Sequence, residues 1–276
     1  EEFKDFMNLK ELGAIVTKTI TLKPRQGNPP PRTCETPAGM LNAIGLENPG
    51  LEVFIREKLL LLKKIGVPVI VSISSENDPQ EFIALARRLD KIKEVAAIEL
   101  NISCPNISRA RLISQDPNST YAVVNRVRKV TKKTLITKLS PNVTDITEIA
   151  QAAQNAGSDA VSLVNTFAGM SIDVEKKVPK IAMVTGGLSG PAIRPVAVRM
   201  VWEVYQKIKI PIIGMGGIID TSSALEFIIA GATAISIGTA NFINPRIAVE
   251  IIDGLGDYLK KSNINSIKDL TGSLQC

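Results

Sequence analysis

Short apolar runs alternate with amphipathic stretches along almost the whole chain. Seven runs rich in β-branched residues have the length of buried strands, at residues 14–19, 67–73, 95–102, 135–139, 160–164, 211–215 and 234–237. Seven stretches have the periodicity of helices, at about residues 50–65, 79–92, 118–132, 144–156, 192–208, 221–230 and 245–261. Strands separated by single helices predict parallel βαβ units.

The number of runs is one short of a closed barrel, which has eight strands. The chain opens instead on residues 3–12, whose pattern indicates a helix with no strand before it. We therefore predict an α/β fold, a (β/α)8 TIM barrel whose first strand is missing from this chain, as a single domain over residues 1–276. The natural protein is expected to extend about 20–30 residues upstream, enough for a strand and its turns. An open, doubly wound sheet is the competing fold.

Polar side chains or glycines lie at or just after the carboxyl end of each apolar run, which favours the barrel. The pairs are Lys18 and Thr19, Ser72 and Ser74, Asn101 and Cys104, Lys138 and Ser140, Asn165 and Thr166, Gly216 and Gly217, Gly238 and Thr239. In a barrel the carboxyl ends of all strands meet at one mouth, where barrel enzymes carry their chemistry. Convergence on one mouth explains the pattern better than a single crevice in an open sheet.

Composition removes several classes of function. Aromatic residues make up 4% of the chain and the net charge of +6 is dispersed, so we expect no nucleic-acid partner. No apolar run is long enough to span a membrane, and the first residues do not form a signal peptide. The three cysteines are far apart, which predicts no metal or iron–sulfur site on this chain. Such sparse cysteines are typical of a cytoplasmic protein.

Residues 101–106, Asn-Ile-Ser-Cys-Pro-Asn, are the strongest candidates for chemistry. Asparagine side chains both donate and accept, which suits a planar amide or imide. Because the chain has no histidine, proton transfer near neutral pH must use a cysteine, a lysine, a tyrosine or a carboxylate. Cys104 is a candidate base or nucleophile among them. Lys18 and Lys138 lie in apolar strands. They are either lysines that extend from strand ends to solvent or cations that stabilise developing negative charge.

Glycines follow the last two strands, at residues 214–217 and at Gly238. Barrels often bind phosphate there, although tight turns also need small residues. Residues 186–191 contain three glycines before a helix, which fits either a flexible linker or close approach to a flat ligand. The segment around Asn42 indicates only a turn before a helix. Together these features predict redox chemistry on a small anionic amide with a phosphate-bearing cofactor.

These residues resemble dihydroorotate dehydrogenase, in particular its class 1B branch. The resemblance runs from Glu1 to about Leu270, and it is strongest over residues 33–50, 99–106, 138–146, 186–196, 211–217 and 231–242. It implies a barrel with FMN and the oxidation of dihydroorotate to orotate in pyrimidine biosynthesis. Cys104 would remove a proton from C5 of the substrate while a hydride leaves C6 for the flavin. Lys18 would lie close to the flavin and to the substrate.

The resemblance also implies a set of binding residues. The substrate would be held by Asn42, Ile44, Gly45, Leu46, Asn101, Asn106, Asn165 and Thr166. The cofactor would be held by Lys18, Asn101, Lys138, Val164, Gly190, Gly216, Gly217, Gly238 and Thr239. No metal is expected on this chain.

Class 1B enzymes pass electrons to a second subunit, so the resemblance implies a partner that carries FAD and a [2Fe–2S] cluster and reduces NAD⁺. We expect a homodimer of this chain within a heterotetramer. The sequence departs from the family in two places. It lacks the N-terminal portion with an Ala-Ser-Gly flavin contact, and residues 107–117 lack the usual glycine pair. The alternatives are a non-catalytic flavin-binding scaffold and an FMN enzyme acting on another pyrimidine.

Overall fold

The computed structural model describes residues 2–75, 78–103 and 113–275. Its strands, numbered in chain order, are β1 Ile15–Val16, β2 Thr33–Thr36, β3 Gly39–Asn42, β4 Val69–Ile73, β5 Val95–Asn101, β6 Thr134–Lys138, β7 Ala160–Leu163, β8 Phe167–Met170, β9 Ile172–Asp173, β10 Val178–Pro179, β11 Thr185–Ser189, β12 Ile212–Met215 and β13 Ala234–Ser236. The α-helices are α1 Leu51–Val53, α2 Leu59–Ile65, α3 Gln80–Asp90, α4 Pro117–Arg128, α5 Ile146–Asn155, α6 Arg194–Tyr205, α7 Thr221–Ile229 and α8 Ile247–Lys261. A π-helical turn, Phe54–Lys58, joins α1 to α2.

A parallel sheet of seven strands forms the centre of the described structure, and we call it the barrel sheet. Its order is β1-β4-β5-β6-β7-β12-β13. The order in space follows the order in the chain, whereas a doubly wound sheet reverses its order at a switch point. The predicted barrel architecture is therefore confirmed over the open sheet. Each of its strands overlaps one of the runs predicted from the sequence.

Two apolar layers stabilise the barrel sheet. The helices pack outside it, with Phe82 and Phe227 among the largest fully buried side chains. A smaller cluster, Ala97, Ile136 and Ala160, comes from β5, β6 and β7, with Ile70 and Ile213 packed against it. Small and branched side chains from neighbouring strands fill a barrel interior in this way. The strands are thereby fixed relative to one another, and so are the polar residues at their ends.

A second, antiparallel sheet, which we call the cap sheet, was not predicted. Its order is β2-β3-β11-β8, and β3 pairs with β11 so that Asn42 lies opposite Gly187. The segment around Asn42 and residues 186–191 therefore each contain part of a strand, β3 and β11, that the sequence interpretation did not include. Neither segment has apolar alternation of its own, and each becomes extended by pairing with a strand distant in sequence.

The start of the chain also differs from its prediction. Residues 3–12 were expected to form one helix, but the structure has two short 3-10 turns, Glu2–Asp5 and Leu9–Glu11. Between them Asn8 has extended backbone angles, and its side chain accepts a hydrogen bond from the Lys10 amide at 3.2 Å. A side chain that bonds its own backbone in this way competes with a continuous helix.

In the described ranges, no helix is both long enough and apolar enough to cross a membrane.

Candidate functional site

A cavity of about 570 Å³ lies between the carboxyl ends of the barrel strands and the cap sheet. Its volume is within the range of small-molecule sites. Eight predicted residues line it: Lys18, Asn42, Ile44, Gly45, Leu46, Asn101, Asn165 and Thr166. Lining residues that were not assigned a role are Thr19, Asn28, Ala43, Ser103, Gln115, Ser140, Asn142, Ala168, Met183, Thr185, Gly186 and Gly187.

Asn101 is at the centre of the wall that the barrel sheet contributes. It is the last residue of β5 and is 9% exposed. Its Nδ2 donates to Thr19 Oγ1 at 3.1 Å, and its Oδ1 accepts from Asn165 Nδ2 at 3.3 Å and from Ser103 Oγ at 3.4 Å. The donors and acceptors of three strand ends are therefore held in one fixed arrangement.

The wall continues through Asn165 and Asn142. Asn165 Nδ2 also donates to Ser103 Oγ at 2.9 Å, and its Oδ1 accepts from the Thr166 amide at 2.9 Å. Asn142 donates from Nδ2 to the Thr166 carbonyl at 3.0 Å and accepts from the Ala168 amide at 2.9 Å. Asn142 thus ties the loop after β6 to the start of the cap sheet, a role that the sequence pattern did not indicate.

On the opposite side, residues 43–46 form a loop rich in backbone donors. The carbonyl oxygens of all four residues accept hydrogen bonds, from Asn28, Arg25 and Asn48. Within the part of the chain that the structure describes, no acceptor takes the N–H groups of Ile44, Gly45 or Leu46. Gly45 and Leu46 both have positive φ, 75° and 56°. Successive amides turned by such angles form a concave site for an anion.

Two lysines supply positive charge at this mouth. Lys18 follows β1 and opens into the cavity, and Lys138 ends β6, opposite Asn101 and Ser162. Partial burial lowers the pKa of Lys18 below its ordinary value; the Glu47 carboxylate opposes this effect, and the charges of Lys138 and Arg32 add to it. The two lysines predicted to converge are close enough to repel each other electrostatically. A negative ligand placed between them would relieve that repulsion.

Several of the predicted cofactor residues lie together at the ends of β12 and β13, outside the residues that line the main cavity. Gly190 and Gly217 have φ of 97° and 79°, and a Cβ on Gly217 would be 2.8 Å from the Gly190 carbonyl oxygen. Thr239 Oγ1 donates to Ser189 Oγ at 2.8 Å, which joins the segment after β13 to the end of β11, next to Gly190. A Cβ on Gly216 would be 3.4 Å from Val164 Cγ2.

These glycines form a backbone cradle. No described group accepts a hydrogen bond from the N–H of Gly216, Gly217 or Gly238, and the space where Gly238 would carry a Cβ is open. Backbone amides at the last two strand ends of a barrel are the usual donors to a phosphate group. The residues present therefore fit a phosphate-bearing cofactor, and the cradle reaches the cavity through β11, of which Gly186 and Gly187 line it.

Cys104 and Asn106, the predicted base and one predicted substrate contact, lie outside the described residues. Over the described ranges there is no group of three or more cysteine, aspartate or glutamate residues close enough to hold a metal ion. Sequence reasoning missed Asn28, Ser103 and Gln115. Ser103 could have been included from its place between two predicted residues, whereas Asn28 reaches the cavity only through tertiary contacts.

Fold and site together define an α/β barrel with a polar cavity at the carboxyl ends of its strands, the arrangement of barrel enzymes. The family model for dihydroorotate dehydrogenase matches residues 1–259. The chain belongs to the dihydroorotate dehydrogenase family, as its sequence predicted.

Relatives of about half-identical sequence cover nearly the whole chain. A protein of Geotalea uraniireducens (strain Rf4) is 52% identical over 275 residues, 99% of this chain and 90% of the relative. One of Geotalea daltonii is 52% identical over 276 residues, 100% of this chain and 90% of the relative. One of Desulforudis audaxviator is 53% identical over 274 residues, 99% of this chain and 89% of the relative. Each is named dihydroorotate dehydrogenase B (NAD(+)), catalytic subunit.

Proposed function

We propose that this chain oxidises dihydroorotate to orotate, as the FMN-binding catalytic subunit of an NAD-linked dihydroorotate dehydrogenase. The observation that carries the proposal is the pairing, across one cavity, of an asparagine wall with a loop of free amides. A dihydroorotate molecule has the complementary groups: a cyclic imide and amide on its ring and a carboxylate beside them.

The wall suits the ring. Asn101 and Asn165 hold each other with some of their donors and acceptors, and Asn42 on the cap sheet donates from Nδ2 to the Gly187 carbonyl at 3.3 Å. Each amide group retains further hydrogen-bonding capacity, because a carboxamide has two donor hydrogens and two acceptor lone pairs. We assign Asn42, Asn101, Asn106, Asn165 and Thr166 to the ring. Fixed polar groups of this kind orient the substrate without reorganising during reaction.

The loop suits the carboxylate. The amides of Ile44, Gly45 and Leu46 have no described acceptor, and Lys18 lies in the same cavity. A carboxylate there would take charge-assisted hydrogen bonds, which are about twice as strong as neutral ones. The same cation would stabilise negative charge that grows on the ring when a proton leaves C5.

We assign the proton at C5 to Cys104, on the family's pattern in residues 101–106. Bound FMN supplies the acceptor for the hydride that leaves C6. The cofactor residues we assign are Lys18, Asn101, Lys138, Val164, Gly190, Gly216, Gly217, Gly238 and Thr239. The fit of the glycine cradle supports this assignment, since its free amides can donate to the cofactor phosphate.

The partners follow from the relatives, whose names call them catalytic subunits of an NAD(+)-linked enzyme. We propose a homodimer of this chain joined to a subunit that carries FAD and a [2Fe–2S] cluster, in the cytoplasm. Purified chain without that subunit should oxidise NADH negligibly. Rapid NADH oxidation by this chain alone would contradict the partner proposal.

Anaerobic mixing of FMN-loaded protein with dihydroorotate tests the function. We expect the visible flavin absorbance to disappear without added NAD⁺. Bound flavin that stays oxidised would support the non-catalytic scaffold, and bleaching only by another pyrimidine would support a different substrate. Cys104→Ala should keep its flavin and bleach far more slowly at neutral pH, with Cys34→Ala as the matched control. Equal bleaching rates for Cys104→Ala and wild type would remove the base assignment.

A further inference from the structure

Residues 25–32, which we call the brace segment, run along the loop of residues 43–48 and hold it by backbone hydrogen bonds. The Arg25 amide donates to the Asn48 carbonyl at 2.9 Å, and the Asn48 amide donates back at 3.1 Å. The Ala43 amide donates to the Arg32 carbonyl at 2.7 Å. The ends of the brace are thus paired with both ends of the loop, and its centre faces the residues assigned to the carboxylate.

Asn28 is the central residue of this brace, and it makes contacts that its neighbours do not. Its Nδ2 donates to the Ala43 carbonyl at 2.9 Å and its backbone amide donates to the Ile44 carbonyl at 3.0 Å. The side chain also lines the cavity. A Cβ on Gly45 would be 2.6 Å from Asn28 Cγ and Oδ1, so the side chain is packed directly against the Gly45 backbone.

The two bonds from Asn28 fix which way the loop amides point. In a trans peptide the N–H is directed opposite to the carbonyl of the preceding residue. Holding the carbonyls of Ala43 and Ile44 toward Asn28 therefore turns the N–H groups of Ile44 and Gly45 away from the brace. Those are two of the three amides that have no described acceptor. Without the bond to Ala43, its peptide could rotate and lose the concave arrangement.

We propose that Asn28 is a positioning residue that gives this site its preference for a carboxylated ring over the same ring with a neutral substituent. The proposal rests on the proposed function and deepens it, because it assigns carboxylate selectivity to a residue that need not bind the carboxylate itself. A purely structural role would lower the affinity for both kinds of ring equally.

The test uses FMN-loaded protein and two probes of nearly the same shape, orotate and its neutral carboxamide, with binding measured by calorimetry. Asn28→Ala should weaken orotate binding about tenfold, the effect of one lost hydrogen bond that leaves a carbonyl unpaired. The carboxamide should change less than about twofold, since it gains little from the oriented amides. The limiting rate of flavin bleaching should change far less than the dihydroorotate concentration that gives half that rate.

Two further variants keep the test decisive. Asn28→Asp preserves size but places an acceptor opposite the Ala43 carbonyl, so it should lose the same preference even if the alanine variant folds poorly. Asn155→Ala, at an exposed position at the end of α5, should leave both affinities unchanged. If both Asn28 variants keep the wild-type preference for orotate, or if wild type shows no preference, the inference is overturned while the function stands. If wild type binds no orotate, the proposed function itself fails.

Discussion

The barrel sheet and the cap sheet form two sides of one cavity by different physical means. The barrel sheet consists of parallel strands buried between helices and an interior layer, so its strand ends are fixed by the core. The cap sheet is mostly exposed or half-buried, and its strands are held by antiparallel pairing. Its two halves, β2 with β3 and β8 with β11, are joined by one pairing between segments nearly 150 residues apart, in which Asn42 lies opposite Gly187. The positions of the wall residues are therefore fixed by packing in the core, whereas the position of the cap sheet depends on strand pairing and a few close contacts.

This difference assigns distinct tasks to the two sides. Asn101, Asn165 and the lysines come from barrel strand ends, where side chains keep their direction. The cap side contributes mostly backbone: the loop amides of residues 44–46 and the glycines of β11. Backbone groups approach a ligand closely only where side chains are absent. We expect changes on the wall to alter the rate of reaction and changes on the cap to alter substrate affinity.

The largest effect is expected at Lys18 on the wall. Lys18→Met removes a cation from the cavity and should slow flavin bleaching about a hundredfold, the loss typical of removing one group that stabilises developing charge. Stopped-flow bleaching at saturating dihydroorotate measures this. A limiting rate close to that of wild type would show that the wall does not control the rate.

Although Lys18→Met should slow the reaction, it should make the folded protein more stable at neutral pH. Because partial burial lowers the pKa of Lys18, its charged form is disfavoured in the folded protein at neutral pH. The folded state then binds fewer protons than the unfolded state between the lowered pKa and 10.5, and stability from this group rises with pH there. Lys18→Met should raise the melting temperature at neutral pH, and the gain should vanish above the ordinary lysine pKa. A lower melting temperature at neutral pH would contradict the electrostatic account.

The next effect is expected where the cap sheet meets the wall. A Cβ on Gly187 would be 2.6 Å from Thr166 Cβ. Gly187→Ala should push β11 away from the strand ends and weaken substrate binding about tenfold, in line with the cost of overpacking a tight contact. The concentration of dihydroorotate at half-maximal bleaching should rise more than the limiting rate falls. A large fall in the limiting rate with unchanged affinity would contradict the assignment of substrate affinity to the cap and of reaction rate to the wall.

Gly256→Ala is the matched control for Gly187→Ala. Gly256 lies within α8, and a Cβ there would meet nothing within 4 Å. The same change should stabilise the protein by up to about 1 kcal/mol through helix propensity. It should leave the bleaching kinetics unchanged.

The smallest effect is expected far from the cavity, at the start of α7. Asp220 accepts from the Ser223 amide at 2.7 Å, and Ser223 Oγ accepts from the Asp220 amide at 3.0 Å. Asp220→Ala should cost about 1 kcal/mol of stability, as for other lost helix caps. Backbone and hydroxyl donors of Ser223 lower the pKa of Asp220, so its stabilisation is present above an ordinary aspartate pKa and lost as the pH falls through the lowered one. The difference in melting temperature between Asp220→Ala and wild type should therefore shrink as the pH is lowered through that pKa.

The sequence predicts the wall far better than the cap. Residues 95–102 are mostly apolar, with Asn101 near their end and further polar residues after them, so both the strand β5 and a place for Asn101 at its carboxyl end could be inferred from local pattern. The strands β3 and β11, which contain Asn42 and Gly187, lack such a pattern. Their extended shape comes from pairing with other strands. Asn28 was missed for the same reason: its contacts with Ala43 and Gly45 exist only after the chain has folded.

The measurement that tests the central claim most directly is a single anaerobic turnover of FMN-loaded wild type with excess dihydroorotate and no NAD⁺, with the products quantified by chromatography. If wall and cap together hold this substrate for oxidation, one orotate should form for each bound flavin that loses its colour, and orotate added beforehand should slow the reaction. Flavin that stays oxidised with no orotate formed would contradict the account.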